Sequence, residues 1–275
     1  MVLRKSLPLC GVLLLASAAA MAASQDSPWQ RWTEHNPKSE ATIDHSAWTA
    51  FLQKYLVVDP ELDLNRVRYA EVTQADRKAL DAYIHRLEAV DIGAYNRDVQ
   101  RAYWINLYNA ATLRLILQHY PLDSIRDIGG GFFGLSPDAW EREVVTVGGV
   151  ALTLDDIENH ILRQIWDDGL NHYGLNCASV GCPNLRMQAY TGTTVYQQLR
   201  DNAKAYVNSP RGLRFSGDRL ELSSIYDWYQ EDFGGSETTV ISYLRRFAAP
   251  ALSARLDAAK GIAGYYYNWS LNEAK

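Results

Sequence analysis

Apolar residues recur at helical spacing along much of the chain, which predicts a mainly helical fold. Over residues 47–57 and again over 73–90, large apolar residues return every three or four positions, so each segment has one buried face. The same spacing predicts further helices over 156–166, 195–208, 225–233, 238–247 and 251–259.

One segment, residues 100–118, is apolar nearly all round and predicts a buried central helix. Asn106 and Asn109 interrupt its apolar surface three residues apart, so they share a side. A buried amide costs about 1–3 kcal/mol if it has no partner, so each needs hydrogen bonds. Two interpretations stay open. The amides either form a structural network that ties loops to the helix, or Asn106 lines a site and orients a base or an oxyanion.

Short apolar runs between the helices predict β-hairpins. Residues 143–153 and 213–222 each fold back around a turn that contains glycine. Helices mixed with several short hairpins predict a single, mainly helical α+β domain. We place this domain at residues 43–275, after a loose polar leader at residues 23–42.

The first 22 residues have the pattern of a secretory signal peptide. Arg4 and Lys5 precede an apolar run that is too short for an ordinary membrane span. Cleavage removes these two from the 27 basic residues, which leaves 25 against 32 acidic residues and a net charge of −7. No cluster of basic residues stands out, so we expect neither nucleic-acid binding nor stable membrane insertion after cleavage. We therefore expect a periplasmic protein of a Gram-negative bacterium.

Candidate chemistry concentrates in the stretch from His172 to Arg186. A short apolar run, broken by glycine and proline, predicts a strand that ends in a tight loop, a common place for a functional site. The stretch contains two candidate nucleophiles, Cys177 and Ser179. Ser179 is the weaker of the two, because the run keeps Ser-x-Gly but lacks the first glycine of the hydrolase elbow.

Cys177 and Cys182 allow three interpretations. They are the cysteines that remain after signal cleavage, and the four residues between them suffice for a disulfide, which persists in an oxidising compartment. Alternatively, Cys177 is a nucleophile activated by His172 or His160, with an oxyanion bound by the N–H groups of the 178–181 turn. In the third interpretation the loop only binds a partner. A metal site lacks a clear fourth ligand, so we expect neither a metal nor another cofactor.

Five stretches of the chain resemble a known family: 103–110, 154–163, 176–183, 225–234 and 268–272. The motifs are long and occur in order, and they resemble the domain of unknown function 547 family, in the form of its secreted bacterial members. Some relatives join this domain to glutaredoxin-like domains, which implies thiol chemistry by analogy alone.

The resemblance places several candidate residues at motif positions: Asn106, Glu158, Arg163, His172, Cys177 and Cys182. Many relatives carry histidine directly after the glutamate, where this chain has Asn159 followed by His160. That departure favours His172 over His160 as a base.

The leading functional hypothesis is a thiol-dependent hydrolase or transferase that acts on a peptide or amide-like substrate. Cys177 would attack, His172 would act as base with His160 as the alternative, and Asn106 and Glu158 would position the base. Substrate would be bound by Arg163, Ser179 and Arg186.

The substrate of such an enzyme would be an unknown small molecule or peptide. The alternative hypothesis is a non-enzymatic periplasmic binding or interaction domain with a Cys177–Cys182 disulfide. The two hypotheses differ in the state of Cys177. Its thiol is free in the enzyme and bridged to Cys182 in the binding domain.

Overall fold

The computed structural model describes residues 27–129 and 138–274 of the protein. The signal peptide predicted over residues 1–22 lies outside this range. Among the described residues, no helix combines the length and the apolar character needed to cross a membrane.

The described part of the chain contains eight α-helices and seven short strands, which confirms the predicted single, mainly helical α+β domain. The helices are α1 Ser46–Tyr55, α2 Gln74–Glu88, α3 Arg97–His119, α4 Arg163–Ile165, α5 Val195–Val207, α6 Ile225–Trp228, α7 Glu237–Arg245 and α8 Pro250–Ala258. The strands are β1 Leu56–Asp59, β2 Leu64–Val67, β3 Glu143–Val147, β4 Val150–Thr153, β5 Leu213–Ser216, β6 Arg219–Ser223 and β7 Ile262–Tyr266.

The strands form three small sheets. β1 pairs with β2 and β3 with β4, both antiparallel, as short hairpins. The third sheet has the order β5-β6-β7, in which β5 and β6 are antiparallel and β7 lies parallel to β6. Because β7 pairs with β6, the C-terminal segment that follows β7, residues 267–274, begins beside β6.

Helix α3 is the centre of the core, as predicted, and spans 23 residues. The Asn96 side chain caps its start by accepting hydrogen bonds from the backbone N–H groups of Asp98 and Val99, at 3.1 and 3.0 Å. Helix α2 packs beside it, and the Tyr103 hydroxyl donates to the Leu87 carbonyl at 2.9 Å. Nearly every side chain from Val99 to Leu117 is buried, so α3 is surrounded by protein on all sides.

The strand predicted in the 172–186 stretch does not form. Asn171–Tyr173 is a single 3-10 turn, and the residues after it are irregular. Asparagine side chains satisfy the backbone groups that a sheet would otherwise pair. Asn109 donates to the Gly174 carbonyl and accepts from the Asn176 N–H, at 2.8 and 2.9 Å. The prediction was wrong because buried amides hold residues 174–176, and residues 178–181 pair with the C-terminal segment through an isolated bridge rather than a strand.

One residue of the predicted leader, Trp32, packs into the core, whereas most of the leader's described residues are exposed. Trp32 is 6% exposed and meets Trp104 of α3 edge-on, with ring centroids 5.2 Å apart. Gln100 donates to the Glu34 carbonyl at 2.8 Å. The polar composition of the leader hid one tryptophan that is large enough to fasten the segment to the core.

Candidate functional site

A cavity of about 300 Å³ opens between the π-helical segment 156–162, the region around α6 and the C-terminal segment. Six of its 14 lining residues are tyrosine or tryptophan. Its lining residues are Tyr108, Trp140, Asp155, Glu158, His172, Leu175, Cys177, Cys182, Pro183, Ile225, Trp228, Tyr229, Tyr267 and Trp269. Four predicted site residues, Glu158, His172, Cys177 and Cys182, therefore line one cavity.

Glu158 reaches the cavity from a π-helix, Asp156–Leu162, that runs directly into α4. The spacing predicted an α-helix over residues 156–166, but the Arg163 N–H bonds to the carbonyl of Glu158, five residues back. This wider turn brings residues five apart onto one side of the helix, and such turns are frequent at functional sites. It explains how Glu158 and Arg163 serve the same cluster.

His172 lies between two carboxylates. Its Nε2 is 2.6 Å from Oδ2 of Asp232, and its Nδ1 is 3.5 Å from Oε1 of Glu158. The ring stacks on Tyr229 with centroids 4.1 Å apart, and the residue is 4% exposed. Burial opposes a charge on the ring, but the hydrogen bonds and charges of the two carboxylates outweigh it and raise the pKa of His172. The two carboxylates therefore favour the protonated ring, and both ring nitrogens have acidic partners, so neither is placed to take a proton from Cys177.

Asp232 connects His172 to Arg163. The Arg163 guanidinium donates to both carboxylate oxygens of Asp232, at 2.5 and 2.9 Å, and to Oδ1 of Asn159 at 2.8 Å. Burial alone would raise the pKa of Asp232, but the hydrogen bonds from His172 and Arg163 hold it well below its usual range. Acidic and basic side chains thus alternate along a chain of four groups, which we call the ion-pair cluster: Glu158, His172, Asp232 and Arg163.

Glu158 ends this cluster at the cavity surface. The Tyr108 hydroxyl donates to its Oε2 at 3.2 Å. The charge of the same carboxylate raises the pKa of Tyr229, and burial together with that charge raises the pKa of Tyr108. Both phenols therefore stay protonated near neutral pH and present hydroxyl groups beside a buried anion.

Cys177 and Cys182 form a disulfide in the cavity wall, with Cα atoms 6.3 Å apart. Cys182 is 1% exposed, whereas Cys177 is half-buried. The Tyr267 hydroxyl is 3.2 Å from the sulfur of each cysteine. The disulfide that the sequence left as one of three alternatives is therefore present, and Cys177 has no free thiol in this state.

Three of the four N–H groups in the 178–181 turn already have acceptors within the protein. The N–H of Ala178 donates to Oδ1 of Asn176 at 3.0 Å, and that of Cys182 to the Ser179 carbonyl at 3.1 Å. The N–H groups of Val180 and Gly181 donate to carbonyls of the C-terminal segment, each at 2.8 Å. The protein's own acceptors therefore occupy three of the four N–H donors that the expected oxyanion site would use.

Several predicted site residues lie outside the cavity. Asn106 pairs on both sides with the backbone of Tyr190, at 2.8 and 3.0 Å, which matches the structural interpretation of its amide. His160 stacks on Trp29 with centroids 4.4 Å apart. Arg186 donates to the Gln198 carbonyl and to Asn202 of α5.

Ser179 and Arg163 lie next to the cavity without lining it. Ser179 is fully buried behind the disulfide, with Oγ 3.4 Å from the Cys177 carbonyl. Arg163 is connected to the cavity wall through the ring of Tyr229 and through Asp232, whose carboxylate is hydrogen-bonded to His172. Neither side chain is therefore placed to contact a ligand in the cavity directly.

Asp232, Tyr108 and the aromatic wall were not found from the sequence. Asp232 falls in the 225–234 motif and Tyr267 lies just before the 268–272 motif. The available signal was the motif itself, which places an acid among aromatic residues. Nothing in its spacing indicated that the acid would reach a histidine 60 residues away.

Among the described residues, no group of three or more histidine, cysteine or acidic side chains is arranged to hold a metal ion. No curated protein and no solved structure matches the chain. The family model covers a shorter part of the chain than the resembling motifs do. It leaves out Asp232, which belongs to the cluster around His172, and Tyr267, which lines the cavity. Residues 92–207 match the model of the family described as Protein of unknown function, DUF547, and this match supports the family that the motifs resemble.

Proposed function

We propose that the protein is a periplasmic binding domain, and that its cavity takes a small organic cation with an apolar portion. The observation that carries this proposal is the lining, in which six aromatic rings surround the carboxylates of Asp155 and Glu158 and no lysine or arginine takes part. Aromatic faces attract cations, and the attraction strengthens when water is displaced.

The charges of the ion-pair cluster support the same class of ligand. His172 and Arg163 supply two positive charges, and Asp232 and Glu158 supply two negative ones. Asp155 adds a further carboxylate, whose Oδ1 accepts from Asn159 at 2.5 Å. The cavity therefore has an excess of negative charge, which favours a cation and disfavours an anion.

The size of the cavity limits the ligand. At about 300 Å³ it lies at the lower end of the range for small-molecule sites. A single amine with one ring or a short side chain fits this volume.

The test compares two probes of similar shape and opposite charge, phenethylamine and phenylacetate. Trp140, Trp228 and Trp269 line the cavity, so tryptophan fluorescence reports binding directly. We expect phenethylamine to bind at least about tenfold more tightly than phenylacetate, because the cation gains both the aromatic and the carboxylate attraction.

Glu158→Gln should weaken phenethylamine binding about tenfold and leave binding of the neutral probe phenethyl alcohol unchanged. Glu71→Gln is the matched control, because Glu71 carries the same charge at an exposed position. Equal or tighter binding of phenylacetate would overturn the proposal.

A second candidate function is the thiol-dependent hydrolase or transferase acting on a peptide or amide-like substrate. It is favoured by one observation, that Cys177, His172 and Glu158 line the same cavity. It requires reduction of the disulfide and release of His172 from one carboxylate. Amide turnover by reduced protein, abolished in Cys177→Ala and retained in Cys182→Ala, would replace the binding proposal with this one.

The periplasmic location is part of the proposal and concerns a secreted bacterial member of the family. It is supported by the disulfide, because such bonds persist in oxidising compartments. Fractionation of cells that carry the full chain, with sequencing of the mature N-terminus, tests it. We expect the protein in the periplasmic fraction with an N-terminus at residue 23.

A further inference from the structure

We propose that the Cys177–Cys182 disulfide is a thiol-exchange centre, in which a thiol that enters the cavity attacks Cys177 and releases Cys182. The partner is a small-molecule thiol or a cysteine-containing peptide. This activity goes beyond ligand binding and does not require the ligand to be a cation.

The two sulfurs differ in access. Both cysteines line the cavity, but Cys182 is 1% exposed and Cys177 is half-buried. Thiol–disulfide exchange needs an attacking thiolate to approach one sulfur, so access helps decide which bond partner is attacked. The structure makes Cys177 the accessible partner.

The buried sulfur, Sγ of Cys182, is the better leaving group. The backbone N–H of Cys177 donates to Sγ of Cys182 at 3.0 Å, and the Tyr267 hydroxyl contacts the same sulfur at 3.2 Å. Burial raises the pKa of Tyr267 well above its usual value, so the hydroxyl keeps its proton and can donate. A hydrogen bond to a developing thiolate stabilises it, and a better-stabilised leaving group leaves faster.

A buried cation lies next to Cys182. Arg211 is 6% exposed, and its guanidinium donates to the carbonyl of Cys182. Its other acceptors are the carbonyls of Leu62 and Asp63 and the side-chain oxygen of Asn184. The Asp63 carboxylate acts on it only as a charge at a distance. The hydrogen bonds of Arg211 therefore leave its charge largely uncompensated, which favours a thiolate at Cys182.

The exchange step is balanced in atoms and electrons. The incoming thiolate sulfur forms a bond to Sγ of Cys177 as the Cys177–Cys182 bond breaks, and the bonding pair stays on Cys182 as a thiolate. The product is a mixed disulfide on Cys177. A second thiol then reduces that mixed disulfide, or the Cys182 thiolate attacks Cys177 and expels the partner.

The test uses the oxidised mature protein and reduced glutathione under anaerobic conditions near neutral pH. Samples quenched with acid and alkylated are examined by intact mass and peptide mapping. We expect glutathione on Cys177 and the alkylating reagent on Cys182. Modification of Cys182 by glutathione, or no adduct over hours while the disulfide stays intact, would overturn the proposal.

Tyr267→Phe removes the hydroxyl that contacts both sulfurs and should slow exchange about tenfold, because the leaving thiolate loses a donor. Tyr266→Phe is the matched control, since Tyr266 is the adjacent tyrosine and its hydroxyl donates to the Pro210 carbonyl, away from the cavity. Equal rates in the two variants would remove Tyr267 from the step. A normal thermal unfolding transition in both separates an effect on exchange from misfolding.

This outcome is independent of the cation proposal. Glutathione exchange with no phenethylamine binding would support the exchange centre and overturn the proposed binding function. Phenethylamine binding without exchange would do the opposite.

Discussion

His45 and His172 are both buried, with 6% and 4% of their surfaces exposed, yet their pKa values are shifted in opposite directions. Nδ1 of His45 is 2.6 Å from the Tyr83 hydroxyl, and burial lowers the pKa of His45 to about 4. His172 lies between Asp232 and Glu158, which raise its pKa against the same cost of burial. Burial with a neutral hydrogen-bond partner thus favours the neutral ring, whereas two neighbouring carboxylates favour the protonated ring.

The difference separates a packing region from a functional region. His45 sits at the start of α1, where the Tyr83 ring of α2 covers it. His172 sits at a cavity wall, where charge is concentrated among aromatic side chains. Perturbed ionisable groups in a cleft indicate function more often than those in a core.

The largest expected effect is from Asp232→Asn, which removes the charge shared by His172 and Arg163 without changing the shape of the side chain. We expect the free energy of unfolding to fall by about 3 kcal/mol, because a buried pair that loses one partner leaves an uncompensated charge. Urea unfolding at pH 7 measures it. Asp257→Asn breaks the exposed Arg245–Asp257 pair and is the control, with an expected loss under about 1 kcal/mol. Similar losses in the two variants would contradict the assignment.

The next effect is a pH dependence due to His45. Its folded pKa of about 4 is below its ordinary 6.5, so the unfolded chain binds a proton first as the pH falls. The stability that His45 contributes is present above pH 6.5 and is lost toward pH 4, by about 3 kcal/mol. His45→Gln should flatten the unfolding free energy over this window. An unchanged slope in the variant would assign the dependence to other groups.

Glu158→Gln should change the free energy of unfolding through His172, whose contribution depends on pH with the opposite sign to that of His45. Because the pKa of His172 is raised, its contribution is complete below its ordinary 6.5 and is lost as the pH rises through the folded value. Removing one carboxylate lowers that folded pKa, and we expect a loss of about 1–2 kcal/mol at pH 7. NMR titration of the imidazole reports the pKa directly. A pKa that stays in place would leave Asp232 as the sole source of the shift.

The smallest effect is from Tyr83→Phe, which leaves Nδ1 of His45 without its hydroxyl partner. We expect about 1 kcal/mol of destabilisation, the usual contribution of one neutral hydrogen bond. Tyr196→Phe, at a residue 40% exposed, is the control and should change nothing. Thermal or urea unfolding of both variants makes the comparison, and a loss as large as that of Asp232→Asn would show that His45 is not simply a neutral packing residue.

The helices and hairpins were predictable because their signals are local. The all-round apolar surface of residues 100–118 predicted a buried helix, and α3 is that helix, extended to Arg97–His119. The turn at Gly148 and Gly149 predicted the β3–β4 hairpin, where both glycines have positive φ. Such patterns depend on residues a few positions apart, which the chain order itself preserves.

The site was only partly predictable because it depends on contacts between distant segments. Glu158, His172 and Cys177 were identified from motifs, and they do line one cavity. The assignment of His172 as a base assumed that one ring nitrogen is free to accept a proton. In the structure, Nε2 is hydrogen-bonded to Asp232, 60 residues away along the chain. The strand assumed for the 172–186 stretch failed for a related reason, since Asn109 of α3 satisfies its backbone.

The sequence by itself determined the helical core, the hairpins, the family motifs and the pair of cysteines close enough to bridge. These are properties of composition, period and short separation. Only the tertiary structure decided which carboxylates face His172, which N–H groups are already satisfied and which sulfur is accessible. Charge state and accessibility follow from burial and from partners far apart along the chain, and a linear pattern carries neither.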